Sequence, residues 1–209
     1  MMERATRVPA AAGPDAVRIH WATAALALVL AVIYVPGLML DARMVDGVGV
    51  WVKPMKFAIS FIVFSTTLAL ISTYMSARPR EGFWMRAAGV VIASGFVGEM
   101  AYMSVQAGLG EPSHFNVGTP FHAAMYTLMA AAATGIVLGV AVIGLCFWRD
   151  PQARGGTGLK LGVLLGLVGS TVLTLITAFH LGGNGGHFVG VPSADASVIP
   201  LFGWSAEVG

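Results

Sequence analysis

The chain has 209 residues, of which 56% are hydrophobic and 11% are charged, and its mean hydropathy is +0.79. A soluble domain usually carries about 25% charged residues, so this composition excludes that class and also excludes disorder. The single cysteine excludes a disulfide-rich secreted scaffold, and a net charge of +2 is too small and too dispersed to indicate a nucleic-acid partner. A polytopic protein of the lipid bilayer remains.

Five apolar stretches predict membrane-spanning helices, because a hydrocarbon core about 30 Å thick needs about 20 helical residues. They lie at 19–40, 56–76, 84–106, 121–148 and 159–181. The first run is too long for a signal peptide, and no small-x-small cleavage pattern follows it. The predicted fold class is all-α, a transmembrane bundle of five spans. Segment 1–18 is then a cytoplasmic N-terminal segment, 19–181 the membrane domain, and 182–209 an extracytoplasmic Gly-rich tail.

The Lys and Arg residues are divided unevenly between the two sides of these spans. Three lie on one side, Arg43, Lys53 and Lys56, and nine lie on the side of the N-terminus: Arg4, Arg7, Arg18, Arg78, Arg80, Arg86, Arg149, Arg154 and Lys160. Because basic residues are retained in the cytoplasm, the N-terminus is predicted inside and the C-terminus outside. The richness in Ala and Gly is typical of a bacterium of high genomic GC, so we expect the inner membrane.

Small residues recur every four positions on the last two spans, where they would let two backbones approach closely. The repeats are Ala131, Gly135 and Gly139 on the fourth span, and Gly158, Gly162 and Gly166 on the fifth. They predict that these two helices pack together. The same glycine faces could instead bind a partner helix.

Glu99 is the clearest candidate for function, since it lies about 22 Å from the cytoplasmic end of the third span at helical rise. An ionisable group at this depth costs roughly 3 kcal/mol or more, and normally faces the bundle interior with a partner. Tyr102 and Gln106 follow at i+3 and i+7 and extend a polar stripe to the surface. Two interpretations are open: a protonated, hydrogen-bonded core acid, or an ion pair or functional site.

Lys53 and Lys56 lie at the outer mouth of the second span, where Pro54 suits the first turn of a helix. Cations there oppose the positive end of the helix dipole and lie on the side where basic residues are depleted. This conflict suggests compensation by an anion, either Glu99 or an anionic small molecule such as a carboxylate, a phosphate or a haem propionate. The alternative is that both lysines snorkel to the interface.

His122 opens the fourth span after Thr119 and Pro120, which predict an N-cap threonine with proline at the first helical position. The dipole disfavours imidazolium at this end, which leaves a neutral ring able to coordinate a metal. His20 lies beside Trp21 at the cytoplasmic start of the first span, and we expect it to be an interfacial anchor.

Three more histidines and an asparagine are predicted on the same outer side. His114 lies in the loop before the fourth span, His180 closes the fifth span, and glycines let Asn184 and His187 fold back over the membrane surface. Together with Lys53, Lys56, Glu99, Gln106 and His122, they predict one outward-facing site.

Three functions fit this site. The first is a b-type haem redox protein with His122 and His180 as axial ligands and the lysines at the propionates, or a transition metal held by some of His114, His122, His180, His187 and Glu99. The second is a transporter component that binds a proton and an anionic solute. The third is a non-catalytic assembly subunit that uses the glycine faces.

At Lys53-Pro54-Met55-Lys56-Phe57, with Glu99, Gln106-Ala107 and Ser113-His114-Phe115-Asn116, the chain resembles a group of bacterial integral membrane proteins of unassigned function. This resemblance implies a multi-helix membrane fold with further chain beyond 200–205. Separately, Arg18-Ile19-His20-Trp21 is similar to the opening of the first helix in bacterial cytochrome b561-like proteins. In that family a histidine there ligates haem, but this chain has no second histidine at that depth.

Overall fold

The structure is a computed structural model that describes residues 15–45 and 47–183, with the backbone alone for 180–183. Its helices are α1 (Ala16–Leu40), α2 (Val52–Thr73), α3 (Ala77–Arg80), α4 (Phe83–Leu109), α5 (Pro120–Arg149), α6 (Gly156–Leu164) and α7 (Ser170–Gly183). A π-helical segment, Leu165–Gly169, joins α6 to α7. Two short strands, β1 (Met44–Val45) and β2 (Val48–Gly49), form an antiparallel pair between α1 and α2.

Five helical segments of the described chain are long and apolar enough to cross a membrane: α1, α2, α4, α5 and the continuous stretch Gly156–Phe179. The prediction of an all-α bundle with five spans is therefore confirmed, and the helix ends lie within about one turn of the predicted ones. The short α3 follows Ser76 in the connection between α2 and α4.

The spans form pairs, since α1 packs along α2 and α4 packs along α5, while the stretch from α6 to α7 contacts α5. The core consists of two clusters at different heights. One is formed where α1 and α4 begin and α2 and α5 end, around Ala16, Met85 and Phe147. The other surrounds Tyr34 and Phe96 in the opposite half.

The chain connections lie on two opposite faces of the bundle. We call the face formed by 74–82 and 150–155 the first face, and the face formed by 41–51 and 110–119 the second face. On the first face, Asp150 accepts hydrogen bonds from the backbone N–H of Ser76 at 2.7 Å and from its hydroxyl at 3.0 Å. Arg154 donates to the carbonyl of Thr73, at the end of α2, at 2.6 Å.

On the second face, Arg43 connects the strand pair to the end of α4. It donates through Nη1 to the carbonyl of Gly108 at 3.0 Å and forms an ion pair with Asp41 at 2.7 Å. Trp51 donates its indole N–H to the same carboxylate at 2.9 Å. The indole packs directly on α1, because a Cβ at Gly37 would lie 2.7 Å from its ring carbons. Only a glycine permits that approach.

The fourth and fifth spans pack together, as predicted, but not through their glycine repeats. A Cβ at Gly139 would lie 3.0 Å from Ile92 of α4, so this face of α5 is covered by α4. Gly158, Gly162 and Gly166 have no neighbouring atom of the described chain within 4 Å of such a Cβ. Instead, α5 meets the fifth span at Gly144, where the side chain of Leu167 fits against bare backbone.

Candidate functional site

Six of the residues predicted for the site lie in the half of the bundle near the second face. Lys53 and Lys56 lie in the first turns of α2, Glu99 and Gln106 on α4, His114 in the connection to α5, and His122 in the first turn of α5. Lys53 is half-buried and Lys56 is exposed. Although α7 includes position 180, the side chain of His180 lies outside the described residues, as do Asn184 and His187.

The connection 110–119 turns back over α4 because α4 ends in a Schellman motif. Gly110 adopts the left-handed conformation with φ +77°, and the N–H of Glu111 donates to the carbonyl of Gln106 at 2.9 Å. Gln106 in turn donates its side-chain amide to the carbonyl of Pro112 at 3.2 Å. Phe115 is the non-glycine residue with positive φ, +56°, among those described, and its ring lies 5.3 Å from that of Tyr126.

This turn brings His114 to the buried carboxyl group of Glu99, which is 3% exposed. His114 Nε2 lies 3.9 Å from Glu99 Oε2, a distance that is too long for a hydrogen bond and short enough for an ion pair when the imidazole is protonated. Neither carboxyl oxygen has a hydrogen-bond partner within 15–45 and 47–183. Lys53 is near enough for its positive charge to act on Glu99. Glu99 is therefore a buried carboxyl group that has basic side chains close by and no hydrogen bond to the described residues.

His122 makes a second polar contact, nearer the surface. Thr119 caps α5 as predicted, since its hydroxyl accepts from the His122 backbone N–H at 3.2 Å. The His122 ring is held on both sides, with Nδ1 2.9 Å from Thr119 Oγ1 and Nε2 3.2 Å from Glu111 Oε2. Gln106 Nε2 lies 3.4 Å from the same Glu111 oxygen. Sequence reasoning did not select Glu111, because no spacing in the chain indicates that its loop bends back toward α5.

The predicted haem or metal site finds no support in the described residues. No group of three or more His, Cys, Asp or Glu side chains there could hold a metal ion. Both ring nitrogens of His122 already have protein partners, so this ring does not fit the role of an axial ligand.

His20 does not fit the expected role of an interfacial anchor, which requires a side chain on the surface of the bundle. Its side chain is fully buried, whereas the adjacent Trp21 is 45% exposed. Neighbouring helical residues point about 100° apart, so one faces the bundle and the other faces outward. Both ring nitrogens of His20 lack a hydrogen-bond partner in the part of the chain that the structure describes.

Comparisons with known proteins add no further assignment. No protein-family model matches the chain, and no curated protein or solved structure matches it either.

Proposed function

We propose that this protein binds, at its second face, a small anionic solute together with a proton, and that it moves both across a bacterial inner membrane. One observation carries the proposal. Glu99 is a carboxyl group 3% exposed within a membrane span, its oxygens lack hydrogen-bond partners among the described residues, and the basic side chains of His114 and Lys53 lie close by.

Charge balance explains how the proton and the anion would be coupled. An ionised group inside a membrane costs roughly 3 kcal/mol or more unless it is compensated. The positive charge of Lys53 can be balanced by the Glu99 carboxylate or by a bound anion, but both negative charges together would leave an excess. When the anion binds, Glu99 therefore takes up a proton, and when the anion leaves, Glu99 releases it. The ionisable side chains near this exchange are Lys53 from α2 and His114 from the loop 110–119.

The orientation supports an outward-facing site. Seven of the ten Lys and Arg residues within 15–45 and 47–183 lie on the side of the first face, which favours a cytoplasmic location for that face. One of the three basic residues on the opposite side, Arg43, is paired with Asp41 at 2.7 Å. The second face would then open to the periplasm. Alkaline phosphatase fused at the 41–51 connection should be active, and the same enzyme fused at 74–82 should be inactive.

The coupling is tested with purified protein in liposomes that contain a pH-sensitive dye. Succinate is the probe, because its two carboxylates cross a lipid bilayer poorly on their own. We expect labelled succinate to enter and the lumen to acidify, both above the level of protein-free liposomes. In Glu99→Gln, acidification driven by succinate should be lost.

Glu81→Gln is the matched control, since this carboxylate is 46% exposed and lies on the first face beside Arg80. It should behave as the parent protein. The proposal is overturned if succinate and protons enter no faster than in protein-free liposomes, or if Glu99→Gln acidifies the lumen as well as Glu81→Gln does.

A further inference from the structure

A groove runs along the outer surface of the bundle between α4 and α5, near the second face. Its volume is about 530 Å³, within the range of small-molecule sites. Its apolar wall includes Val105, Leu109 and Phe121, whose side chains are 57%, 61% and 63% exposed. Because this wall belongs to two membrane spans and faces away from the core, the groove opens toward lipid rather than toward water.

The polar groups of the groove are concentrated at its end near the second face. There Gln106, Glu111 and His122 line it, and they contact each other through the Glu111 carboxylate at 3.4 and 3.2 Å. At the other end the lining reaches Gly98, 11 positions before Leu109, which is about 16 Å at helical rise. A polar end at the membrane surface and an apolar trough toward mid-membrane match the shape of an amphiphile.

The charges at the polar end favour a head group that carries no charge. An anionic head would approach the carboxylate of Glu111. A cationic head would have to compete with His122 and Gln106, which already occupy that carboxylate. An uncharged head group that only donates or accepts hydrogen bonds is not repelled by Glu111 and does not have to displace His122 or Gln106 from it.

Tyr102 provides a separate indication of a missing hydrogen-bond partner. It lines the groove and is 7% exposed, and its hydroxyl is buried without a partner among residues 15–45 and 47–183. A buried hydroxyl without a partner is unfavourable, because it has given up its hydrogen bonds to water. A carbonyl or hydroxyl on a bound molecule would satisfy it.

We propose that the α4–α5 groove binds an uncharged amphiphile from the membrane, with its hydrogen-bonding head at Gln106, Glu111 and His122 and its apolar tail along α4 toward Gly98. This inference goes beyond the proposed function, because the groove opens on the outside of the bundle whereas Glu99 is buried inside it.

The test uses the full-length protein in nanodiscs with a diacylglycerol that carries a photoreactive diazirine in one acyl chain. After illumination, labelled peptides are mapped by mass spectrometry. We expect labels on 98–109 and 121–125, and we expect unlabelled dioleoylglycerol to displace the probe. Dioleoylphosphatidic acid, which has the same chains and a charged head, should displace it poorly.

Gly98→Leu fills the groove without meeting protein, since no described atom lies within 4 Å of a Cβ there. It should reduce labelling by at least about fivefold. Gly162→Leu is the matched control, because its Cβ also meets open space but lies on α6, and labelling should be unchanged. Labels spread evenly over all exposed helices, or equal labelling in Gly98→Leu, would overturn the proposal. Displacement by phosphatidic acid as strong as by diacylglycerol would overturn the assignment of an uncharged head.

Discussion

Arg43 forms a bidentate ion pair with Asp41, in which Nε donates to Oδ1 at 2.9 Å and Nη2 donates to Oδ2 at 2.7 Å. Its third side-chain nitrogen caps another helix. That nitrogen, Nη1, donates to the carbonyl of Gly108 in the last turn of α4. The last carbonyls of a helix lack intrahelical partners and form the negative end of its dipole, so a cation there is stabilising. A basic residue on the side where basic residues are few thus has a structural reason to be there.

The ion pair between Asp41 and Arg43 should make the thermal stability of the protein depend on pH only in strong acid. Hydrogen bonds from Arg43, then from Trp51, hold the pKa of Asp41 well below its usual range. A lowered pKa in the folded state means that the stabilisation is complete above the unfolded value, about 4, and is lost as the pH falls through the folded value. Asp41→Asn should therefore lower the thermal midpoint in detergent by an amount that is constant from about pH 8 to pH 4 and shrinks below that.

Glu81→Gln serves as the control for this pH series, since the exposed Glu81 lies on the first face. Its midpoint should follow that of the parent protein throughout. A gap between Asp41→Asn and the parent that already closes between about pH 7 and pH 5 would contradict the predicted direction of the pKa shift.

Asp150 holds the first face together in a comparable way. Burial raises the pKa of Asp150. Hydrogen bonds from the Ser76 and Gln152 backbone N–H groups and from the Ser76 hydroxyl lower it by a larger amount, so the pKa lies below the ordinary value. Asp150→Ala would leave these donors unpaired and should cost about 1–3 kcal/mol of unfolding free energy. Asp150→Asn keeps one acceptor oxygen and should cost less. SDS-induced unfolding measures both, and equal losses in the two variants would contradict the role of these hydrogen bonds.

The sequence predicted where the membrane-spanning helices begin and end, but it did not predict which helix packs against which face. Span length follows from the thickness of the hydrocarbon core, and the cap at Thr119 follows from a local pattern of three residues. A stripe of small residues indicates that some helix can approach closely, but it does not say which one. For that reason the face of Gly139 was assigned to the fifth span and is covered by α4. Lipid is as apolar as the core, so hydropathy could not decide that His20 is buried and Trp21 exposed.

Within the site, the sequence likewise predicted which residues share one half of the bundle, but it did not predict which side chains touch each other. The sequence predicted that Glu99 and His114 lie in the same half of the bundle, because the half that a residue occupies depends only on the number of spans before it. The contact between Glu111 and His122 depends on the left-handed turn at Gly110 and on Phe115 at positive φ. Loop conformations of this kind leave no periodic signal in the sequence.

The glycines of α4 and α6 allow a direct comparison of a packed and an open position. A Cβ at Gly95 would lie 2.7 Å from Ile136 Cγ1, in the interface between α4 and α5. Gly95→Ala should therefore cost about 1–3 kcal/mol through overpacking. Gly162→Ala meets no described atom within 4 Å and should be neutral or stabilising by up to about 1 kcal/mol, because alanine is the better helix former. SDS-induced unfolding of the two variants provides the measurement, and equal effects would contradict the packing of α4 on α5.

The cap of α5 provides a last test, since Thr119 both caps the helix and holds the ring of His122. Thr119→Ala should cost about 1 kcal/mol of unfolding free energy, within a range of about 0.5–2, whereas Thr119→Ser should retain most of it. Thr127→Ala is the control, because the hydroxyl of Thr127 donates at 3.0 Å to a carbonyl of its own helix, that of Ala123. Its loss leaves no helix end uncapped, so stability should be unchanged.

Nitrogen chemical shifts of His122 should move in Thr119→Ala and stay near their original values in Thr119→Ser, because only serine retains a hydroxyl beside Nδ1. Equal shifts in both variants would mean that Thr119 does not hold the ring.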